Sequence, residues 1–305
     1  MSFSDSFPPI TPSATTGVPS FFSLLSCYLE LTKPRLTLLA LAMTGVGFHF
    51  ASWGSLDLIL LFHTLLGSCC VGGGANALNQ FLEKDVDSKM TRTQNRPLPS
   101  GRLSENQALL FGIFLSVTGV LYLSLFVNLL ASLLGTVTLL TYLFCYTPLK
   151  RKTALCTIVG AIPGAIPPLI GWAAVRENLS LQAWVLFSIL FLWQFPHFLA
   201  IAWFCRQDYT KAGLSILTVV DSQGKSTPRQ ILLYCLALLP VSLLPSVTGM
   251  TGAIYFLSAL LLGFLFLGFG ARLMFSLQEN KAKQFFLFSI LYLFLLIVIM
   301  ISDKI

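Results

Sequence analysis

Long apolar segments separated by short polar ones dominate the pattern along this chain. Nine of them are close to the length that a helix needs to cross a bilayer. They cover residues 36–53, 58–82, 107–127, 129–147, 154–175, 181–205, 230–248, 251–275 and 284–302. None alternates with the period of two that a barrel strand requires. We therefore expect an all-α, polytopic membrane protein with nine transmembrane helices.

Little polar sequence is left outside these segments. Of the 305 residues, 55% are hydrophobic and 10% are charged, which excludes a separate soluble domain. We expect one transmembrane domain over residues 31–305, preceded by a flexible cytoplasmic tail over 1–30. The first 25 residues are rich in Ser, Thr and Pro and contain no Lys or Arg. That composition lacks the features of a secretory or transit peptide and favours a bacterial inner membrane.

The basic residues follow the order of the predicted helices. With nine helices, 17 of the 19 Lys and Arg fall in segments on one side of the membrane, and only Arg176 and Lys304 fall on the other. The positive-inside rule then places the N-terminus in the cytoplasm and the C-terminus outside. Because the positive charge alternates with apolar segments and forms no single patch, we exclude nucleic acid as a partner and expect the lipid bilayer instead.

The densest charge lies in residues 76–102, directly after the second apolar segment. If that helix continues for two more turns, Asn79, Glu83 and Asp87 share one face and Asp85 points away from it. A carboxamide and two carboxylates, with no Cys or His among them, are suited to Mg²⁺. The alternative is a solvated, charge-balanced loop that fixes topology.

Further cations follow on the same predicted side. Arg92 and Arg96 are close enough in sequence to bind the phosphate oxygens of a Mg²⁺-bound substrate. After the fourth helix, Tyr146 precedes Lys150 and Arg151, with Pro148 between them ending the helix. This segment is either a clamp for a diphosphate or an orientation anchor with an interfacial tyrosine.

The sixth helix and its C-terminal connection hold two more candidates. Asp208 is either a second metal ligand opposite the first acidic face, or a partner for Arg206 or Lys211. His197 lies within the predicted helix, about two turns from its cytoplasmic end. There it either contacts a ligand or transfers a proton, or it makes an interhelical hydrogen bond.

Several of these segments form recognisable motifs. They are Leu31-Thr-Lys33-Pro34-Arg35, Asn79-Gln-x-x-Glu83-x-Asp85-x-Asp87, Arg92-Thr-x-x-Arg96-Pro-Leu-Pro-Ser-Gly101, Tyr146-Thr-Pro-Leu-Lys150-Arg151, Pro196-His197-Phe and Asp208-Tyr-x-x-Ala-Gly213. With them the chain resembles the membrane-embedded prenyltransferases of the UbiA superfamily and, within it, the haem O synthases. One departure is Ala212, where the second acidic motif of the superfamily usually carries a further aspartate.

The resemblance implies nine helices around a central cavity and a Mg²⁺-dependent reaction. A farnesyl group would move from farnesyl diphosphate to a vinyl group of haem b, with addition of water, giving haem O and diphosphate. A downstream haem-modifying enzyme or a terminal oxidase is a possible partner. The alternatives are prenyl transfer to another aromatic acceptor and, from a different class, a transporter with an ion path.

The resemblance also implies roles for individual residues. The expected metal ligands are Asn79, Glu83, Asp87 and Asp208. The cations expected to neutralise the departing diphosphate are Arg92, Arg96 and Lys150. The residues expected to bind substrate are Lys33, Arg35, Tyr146, Arg151, His197 and Arg206, with His197 as the haem contact.

Overall fold

A computed structural model describes residues 21–221 and 223–305, and most of them lie in helices. The helices are α1 (Phe21–Leu31), α2 (Pro34–Ala51), α3 (Leu58–Leu82), α4 (Lys84–Asp87), α5 (Glu105–Phe126), α6 (Leu129–Leu140), a π-helical segment (Thr141–Tyr146), α7 (Thr147–Leu149), α8 (Cys156–Ala165), α9 (Pro167–Arg176), α10 (Leu181–Phe204), α11 (Arg206–Lys211), α12 (Leu217–Val220), α13 (Ser226–Val247), α14 (Ala253–Phe275) and α15 (Glu279–Ser302). The predicted all-α class is confirmed.

Eight helical segments of the described chain are long and apolar enough to cross a membrane. They are Leu58–Leu82, Glu105–Phe126, Leu129–Leu149, Cys156–Arg176, Leu181–Phe204, Ser226–Val247, Ala253–Phe275 and Glu279–Ser302. The predicted count of nine is therefore off by one. The missing member is α2, whose 18 residues include Arg35 and His49. The protein is nonetheless a multi-pass membrane protein.

Helix α2 still runs the length of the bundle. At its start, Lys33 bonds Asn79 near the end of α3, and at its far end the Ala51 carbonyl accepts a hydrogen bond from Arg176 at the end of α9. It packs closely on α9, because a Cβ on Gly171 would lie 1.9 Å from the Thr44 carbonyl oxygen. The Gly- and Pro-rich fifth apolar segment thus forms a close helix contact.

Proline divides that fifth segment into two helices. Helix α8 ends at Ala165 and α9 begins with Pro167 and Pro168, so the path breaks at Ile166. The preceding segment also departs from α-helical geometry, with a π-helical turn over Thr141–Tyr146. Such turns are frequent at functional sites, because they re-aim the side chains beyond them.

The outer surface of the bundle is apolar. Phe62, Phe114, Phe264 and Phe294 are all exposed, as suits side chains that contact lipid. The main core lies between α2, α9, α10 and α13–α15 and holds Trp193, Tyr255, Phe266, Phe285 and Tyr292. Of the tail predicted over 1–30, residues 1–20 lie outside the described residues, and its last part belongs to α1, whose Cys27 is buried.

Candidate active site

The predicted acidic face is present at the C-terminal end of α3. Although α3 ends at Leu82, the Glu83 amide bonds the Asn79 carbonyl at 2.9 Å and the Asp87 amide bonds the Glu83 carbonyl at 2.8 Å. The helical path therefore continues through α4. Asn79, Glu83 and Asp87 are 1%, 8% and 1% exposed, whereas Asp85 is exposed. The expected one-sided arrangement is confirmed, and a solvated loop is excluded for these three side chains.

Hydrogen bonds tie Glu83 and Asn79 to two distant segments. Lys150 Nζ lies 2.8 and 3.0 Å from the two carboxylate oxygens of Glu83. Asn79 Nδ2 donates to Glu83 Oε2 at 3.0 Å and to Thr147 Oγ1 at 3.1 Å. Lys33 Nζ, before α2, donates to Asn79 Oδ1 at 2.8 Å. Every polar atom of this group is thus oriented by a partner.

Asp87 has its own cationic partner. Arg96 Nη1 donates to Asp87 Oδ2 at 2.6 Å, and Thr93 Oγ1 donates to the Asp87 backbone carbonyl at 2.8 Å. The segment after α4 therefore turns back over the end of α3. Because a buried carboxylate needs a countercharge, the pair with Arg96 explains how Asp87 can be buried.

The close packing of these buried charged side chains shifts their pKa values. Burial alone would raise the pKa of Glu83, but the ammonium groups of Lys150 and then Lys33 hold it below its usual value. Burial lowers the pKa of Lys33 to about 7, assisted by the nearby charges of Arg96 and Lys150. Lys150 and Arg96 thus balance the two carboxylates, and protonation of Lys33 adds a further positive charge, which favours an anionic ligand. We name these residues, Lys33, Asn79, Glu83, Asp87, Arg96 and Lys150, the acidic–basic cluster.

The connection after α10 packs against this end of the bundle. Val86 and Met90 form a small apolar core with Ala212 and Leu214. The Ser215 amide donates to the Lys150 carbonyl at 2.8 Å. The three segments that the sequence places on one membrane face therefore meet.

Several predicted residues lie outside the acidic–basic cluster. The side chains of Arg35, Arg92, Arg151 and Arg206 are exposed. Within residues 21–221 and 223–305 none of these four arginines forms an ion pair. Arg206 stacks on Trp203, with 4.3 Å between its guanidinium carbon and the ring centroid.

Asp208 also stands apart from the other predicted metal ligands. It is half-buried, and the described ion pairs join it to neither Arg206 nor Lys211. No three His, Cys, Asp or Glu side chains in the part of the chain that the structure describes stand close enough to hold a metal ion. Asp208 is therefore not grouped with Glu83 and Asp87 in this arrangement.

A cavity of about 90 Å³, lined mostly by apolar side chains, opens beside Lys150. Tyr146, Gly160, Phe198 and Tyr209 are among its lining residues. Lys150 Nζ lies 4.4 Å from the centroid of the Tyr146 ring. A Cβ on Gly160 would lie 2.5 Å from the same ring, so glycine is needed to leave room for the tyrosine. The site therefore places a charged cluster next to an apolar pocket.

His197 lies in α10 and contacts α15. Its Nδ1 is 2.7 Å from Ser289 Oγ, and its ring stacks on Trp193. Ser289 Oγ already donates its hydrogen to the Phe286 carbonyl at 2.6 Å. His197 Nδ1 must then carry the proton and donate it, which leaves Nε2 with a free lone pair. The interhelical hydrogen bond is present, and no described contact joins His197 to the acidic–basic cluster.

Thr147 is the site residue that the sequence analysis missed. Its hydroxyl accepts from Asn79 and donates to the Tyr142 carbonyl at 2.8 Å. The only available signal was its position between Tyr146 and Lys150, two residues that were already candidates.

The UbiA prenyltransferase family matches residues 39–296. The chain belongs to the UbiA prenyltransferase family. Among its UbiA relatives, the protoheme IX farnesyltransferase of Solibacter usitatus is 49% identical over 286 residues, which are 91% of this chain and 98% of that protein. The protein of the same name from Koribacter versatilis is 42% identical over 307 residues, covering 97% and 98%.

Solved UbiA structures share the fold. A digeranylgeranylglyceryl phosphate synthase superposes with a TM-score of 0.78 at 19% identity, covering 92% of this chain and 98% of that one. A UbiA homologue from Archaeoglobus fulgidus, bound to GPP and Mg²⁺, superposes with a TM-score of 0.63 at 15% identity, covering 90% and 99%. This UbiA family member is therefore a membrane-embedded enzyme of the prenyltransferase class.

Proposed function

We propose that this enzyme transfers the farnesyl group of farnesyl diphosphate to a vinyl group of haem b, with addition of water, giving haem O and diphosphate. The observation that carries the proposal is the buried acidic–basic cluster beside an apolar cavity. A prenyl diphosphate has the same two parts, a charged head and an apolar chain. The choice of farnesyl and haem b is supported by relatives at 42–49% identity that bear the name protoheme IX farnesyltransferase.

The cations of the cluster are suited to hold the diphosphate. Lys150 and Arg96 each bond one carboxylate, and Lys33 bonds an uncharged carboxamide. An arriving diphosphate would supply the negative charge that this set lacks. Because a neighbouring anion stabilises a protonated amine, it would also raise the pKa of Lys33 from about 7 and keep its ammonium charged.

The oxygen atoms of the cluster fit a Mg²⁺ ion. The side chains of Asn79, Glu83 and Asp87 offer one carbonyl and two carboxylates from one buried face, and none of the three is Cys or His. Asp208, from the segment that packs opposite, is our candidate for a further ligand. When bound, Mg²⁺ would neutralise charge on the departing diphosphate. Binding it requires Lys150 and Arg96 to shift from the carboxylates towards the phosphate oxygens.

The reaction then depends on separating charge in a dry site. The C–O bond of the substrate ionises, the electron pair leaves with the diphosphate, and Lys33, Lys150 and Arg96 stabilise that charge. The allylic cation forms beside the Tyr146 ring, whose face favours a nearby cation. A haem vinyl carbon attacks the cation, and water adds to the resulting porphyrin-side cation and loses one proton. The apolar lining of the cavity keeps water away from the first cation.

His197 is our candidate for the haem contact. Its Nδ1–H is held by Ser289, so Nε2 is available as a ligand for haem iron or as a hydrogen-bond acceptor. The exposed Arg35, Arg92, Arg151 and Arg206 are candidates for binding the carboxylates of haem or the diphosphate as they enter.

We also propose the bacterial inner membrane as the location, with the N-terminus and the active site on the cytoplasmic side and the C-terminus outside. This topology counts α2, which runs the length of the bundle, as a ninth crossing beside the eight apolar spans. The support is the distribution of Lys and Arg, since 17 of the 19 belong to segments on the side of the acidic–basic cluster. A downstream haem-modifying enzyme or a terminal oxidase remains our proposed partner, since haem O would have to be passed on.

Release of diphosphate tests the proposal and separates its alternatives. The purified protein is incubated with farnesyl diphosphate and Mg²⁺, either alone, with haem b or with an aromatic acid, and the diphosphate released is quantified. We expect release that requires haem b. Release with the aromatic acid in place of haem b would indicate a different acceptor. No release under any condition would favour the transporter alternative.

A further inference from the structure

A second cavity, of about 230 Å³, lies at the opposite end of the bundle from the acidic–basic cluster. The span Cys156–Arg176 begins beside the first cavity and ends at the second, and its 21 residues rise about 30 Å. Trp172, Arg176 and Ser180 line this far cavity together with Lys304. The proposed reaction uses none of these residues.

Two cations converge on the far cavity. Arg176 Nε donates to the Ala51 carbonyl at 2.7 Å, and Lys304 Nζ donates to the Ser52 carbonyl at 2.7 Å. No Asp or Glu is among the described lining residues. Burial, together with the nearby Arg176 guanidinium, lowers the pKa of Lys304. The terminal nitrogens of Arg176 are not needed to bond Ala51, so positive charge remains available to a ligand.

Two of the residues that line the same cavity carry buried, unsatisfied donors. Trp172 is 5% exposed, and its indole N–H has no partner among the described residues. The hydroxyl of Ser180 also lacks one there, although Ser180 occupies the N-cap position of the 24-residue helix α10. The first N–H groups of α10 therefore lack the usual side-chain cap. A buried donor without an acceptor is destabilising, so an acceptor supplied by a ligand would stabilise this end of the fold.

We propose that the far cavity binds a phosphate group, either of a lipid headgroup or free in solution. Phosphate offers several charged acceptor oxygens, which match two cations, an indole N–H, a hydroxyl and a helix N-terminus that approach from different elements. The rim favours a lipid headgroup as the source. Trp53, on which Arg176 stacks, is 83% exposed, and tryptophan is typical of the bilayer interface.

A simpler interpretation has Arg176 and Lys304 only capping the carbonyls at the end of α2. That role requires neither Trp172 nor Ser180. Trp172→Phe, which removes the unpartnered N–H and keeps an aromatic ring, therefore discriminates between the two. Trp184→Phe is the matched control, because Trp184 is exposed in the first turn of α10 and does not line the cavity.

The test uses the full chain, purified without phosphate in a neutral detergent, and follows the thermal unfolding midpoint. One arm adds phosphatidylglycerol against diacylglycerol, which has the same acyl chains but no phosphate, and the other adds inorganic phosphate against chloride at equal ionic strength. We expect the ligand to raise the unfolding midpoint of the wild type and of Trp184→Phe. We expect dissociation constants on the order of tenfold weaker in Trp172→Phe and in Arg176→Gln.

If only phosphatidylglycerol raises the unfolding midpoint, the ligand is a lipid headgroup. If inorganic phosphate raises it, the ligand is the free ion. Equal responses in the wild type and in Trp172→Phe overturn the proposal, as does the absence of a response in both arms. Each variant is compared with its own unliganded midpoint, because Arg176→Gln also removes a cap of α2. If Arg176→Gln does not fold, Trp172→Phe and Ser180→Ala decide the outcome. Failure here leaves the proposed farnesyl transfer untouched, since diphosphate release is measured separately.

Discussion

Replacement of Asp87 by Asn probes the role assigned to the acidic face. The change keeps the shape of the side chain and one acceptor oxygen for Arg96, but it removes the charge from a carboxylate that is 1% exposed. Breaking a buried ion pair costs about 3–5 kcal/mol. Arg96 retains a partner and is itself about one-fifth exposed, so we expect a stability loss of about 1–2 kcal/mol and a folded protein.

The effect on catalysis should be much larger. Asp87→Asn takes the cluster from three cations and two carboxylates to three cations and one, so binding of farnesyl diphosphate should be maintained. Loss of a charged metal ligand should lower kcat by about 10³-fold or more, which corresponds to about 4 kcal/mol. It should also raise the Mg²⁺ concentration needed for half-maximal rate.

The assay measures kcat, KM and the Mg²⁺ dependence for product formation, alongside the unfolding midpoint in detergent. Asp85→Asn is the matched control, because it removes the same charge from an exposed carboxylate two residues away. It should stay within about twofold of the wild type, as surface changes usually do. A kcat for Asp87→Asn within tenfold of the wild type would refute the metal-site assignment, and so would an equal loss in Asp85→Asn.

Three further changes test other parts of the account. Thr147→Val removes the hydroxyl that accepts from Asn79, so we expect kcat to fall about tenfold, with little change in the KM for haem b. His197→Ala should weaken haem binding, seen in the visible spectrum, more than farnesyl diphosphate binding. The Asp221 carboxylate accepts hydrogen bonds from the backbone amides of Lys225, Ser226 and Thr227. Asp221→Asn should therefore lower the free energy of unfolding by about 1 kcal/mol at pH 7, measured by thermal unfolding.

The pH dependence of Asp221 has a definite sign. Burial would raise the pKa of its carboxyl, but the hydrogen bonds from Thr227 and then Ser226 and Lys225 lower it. A depressed folded-state pKa contributes stability above the unfolded value of about 3.8 and loses it as pH falls through the folded value. The difference between Asp221→Asn and the wild type should therefore shrink below about pH 4. A constant difference from pH 7 to pH 3 would contradict this.

Controls for the other two changes come from the same chain. Thr141→Val alters a hydroxyl that bonds only within its own helical segment and should leave kcat unchanged. A similar loss in Thr141→Val would show a general packing effect. His63→Ala removes a different histidine, which is half-buried and bonded to Tyr122, and should not change the haem spectrum. Normal haem binding by His197→Ala would assign His197 to packing alone.

The acidic face could be predicted because it depends on local geometry. A spacing of four residues places Asn79, Glu83 and Asp87 on one side of any helix, and the structure bears this out. Their partners could not be predicted. Lys33 is 46 residues from Asn79, and Lys150 is 67 residues from Glu83, so both contacts depend on how the helices pack.

Apolar length alone predicted most of the helices but not their irregularities. The π-helical turn over Thr141–Tyr146 has no signature in the hydrophobic pattern, yet it directly precedes Thr147. For helix α2, the length agrees with a membrane span but the composition does not. It runs along the whole bundle, but Arg35 and His49 reduce its apolar character, so counting spans by composition gives eight where we had predicted nine.

The central claim is the transfer of farnesyl to haem b, and the mass of the product tests it most directly. The purified protein is incubated with haem b, farnesyl diphosphate and Mg²⁺, and the extracted haem is analysed by mass spectrometry with and without EDTA. We expect a haem heavier by one farnesyl group plus one water, and we expect EDTA to abolish its formation. Unmodified haem from a folded protein that still releases diphosphate with another acceptor would contradict it.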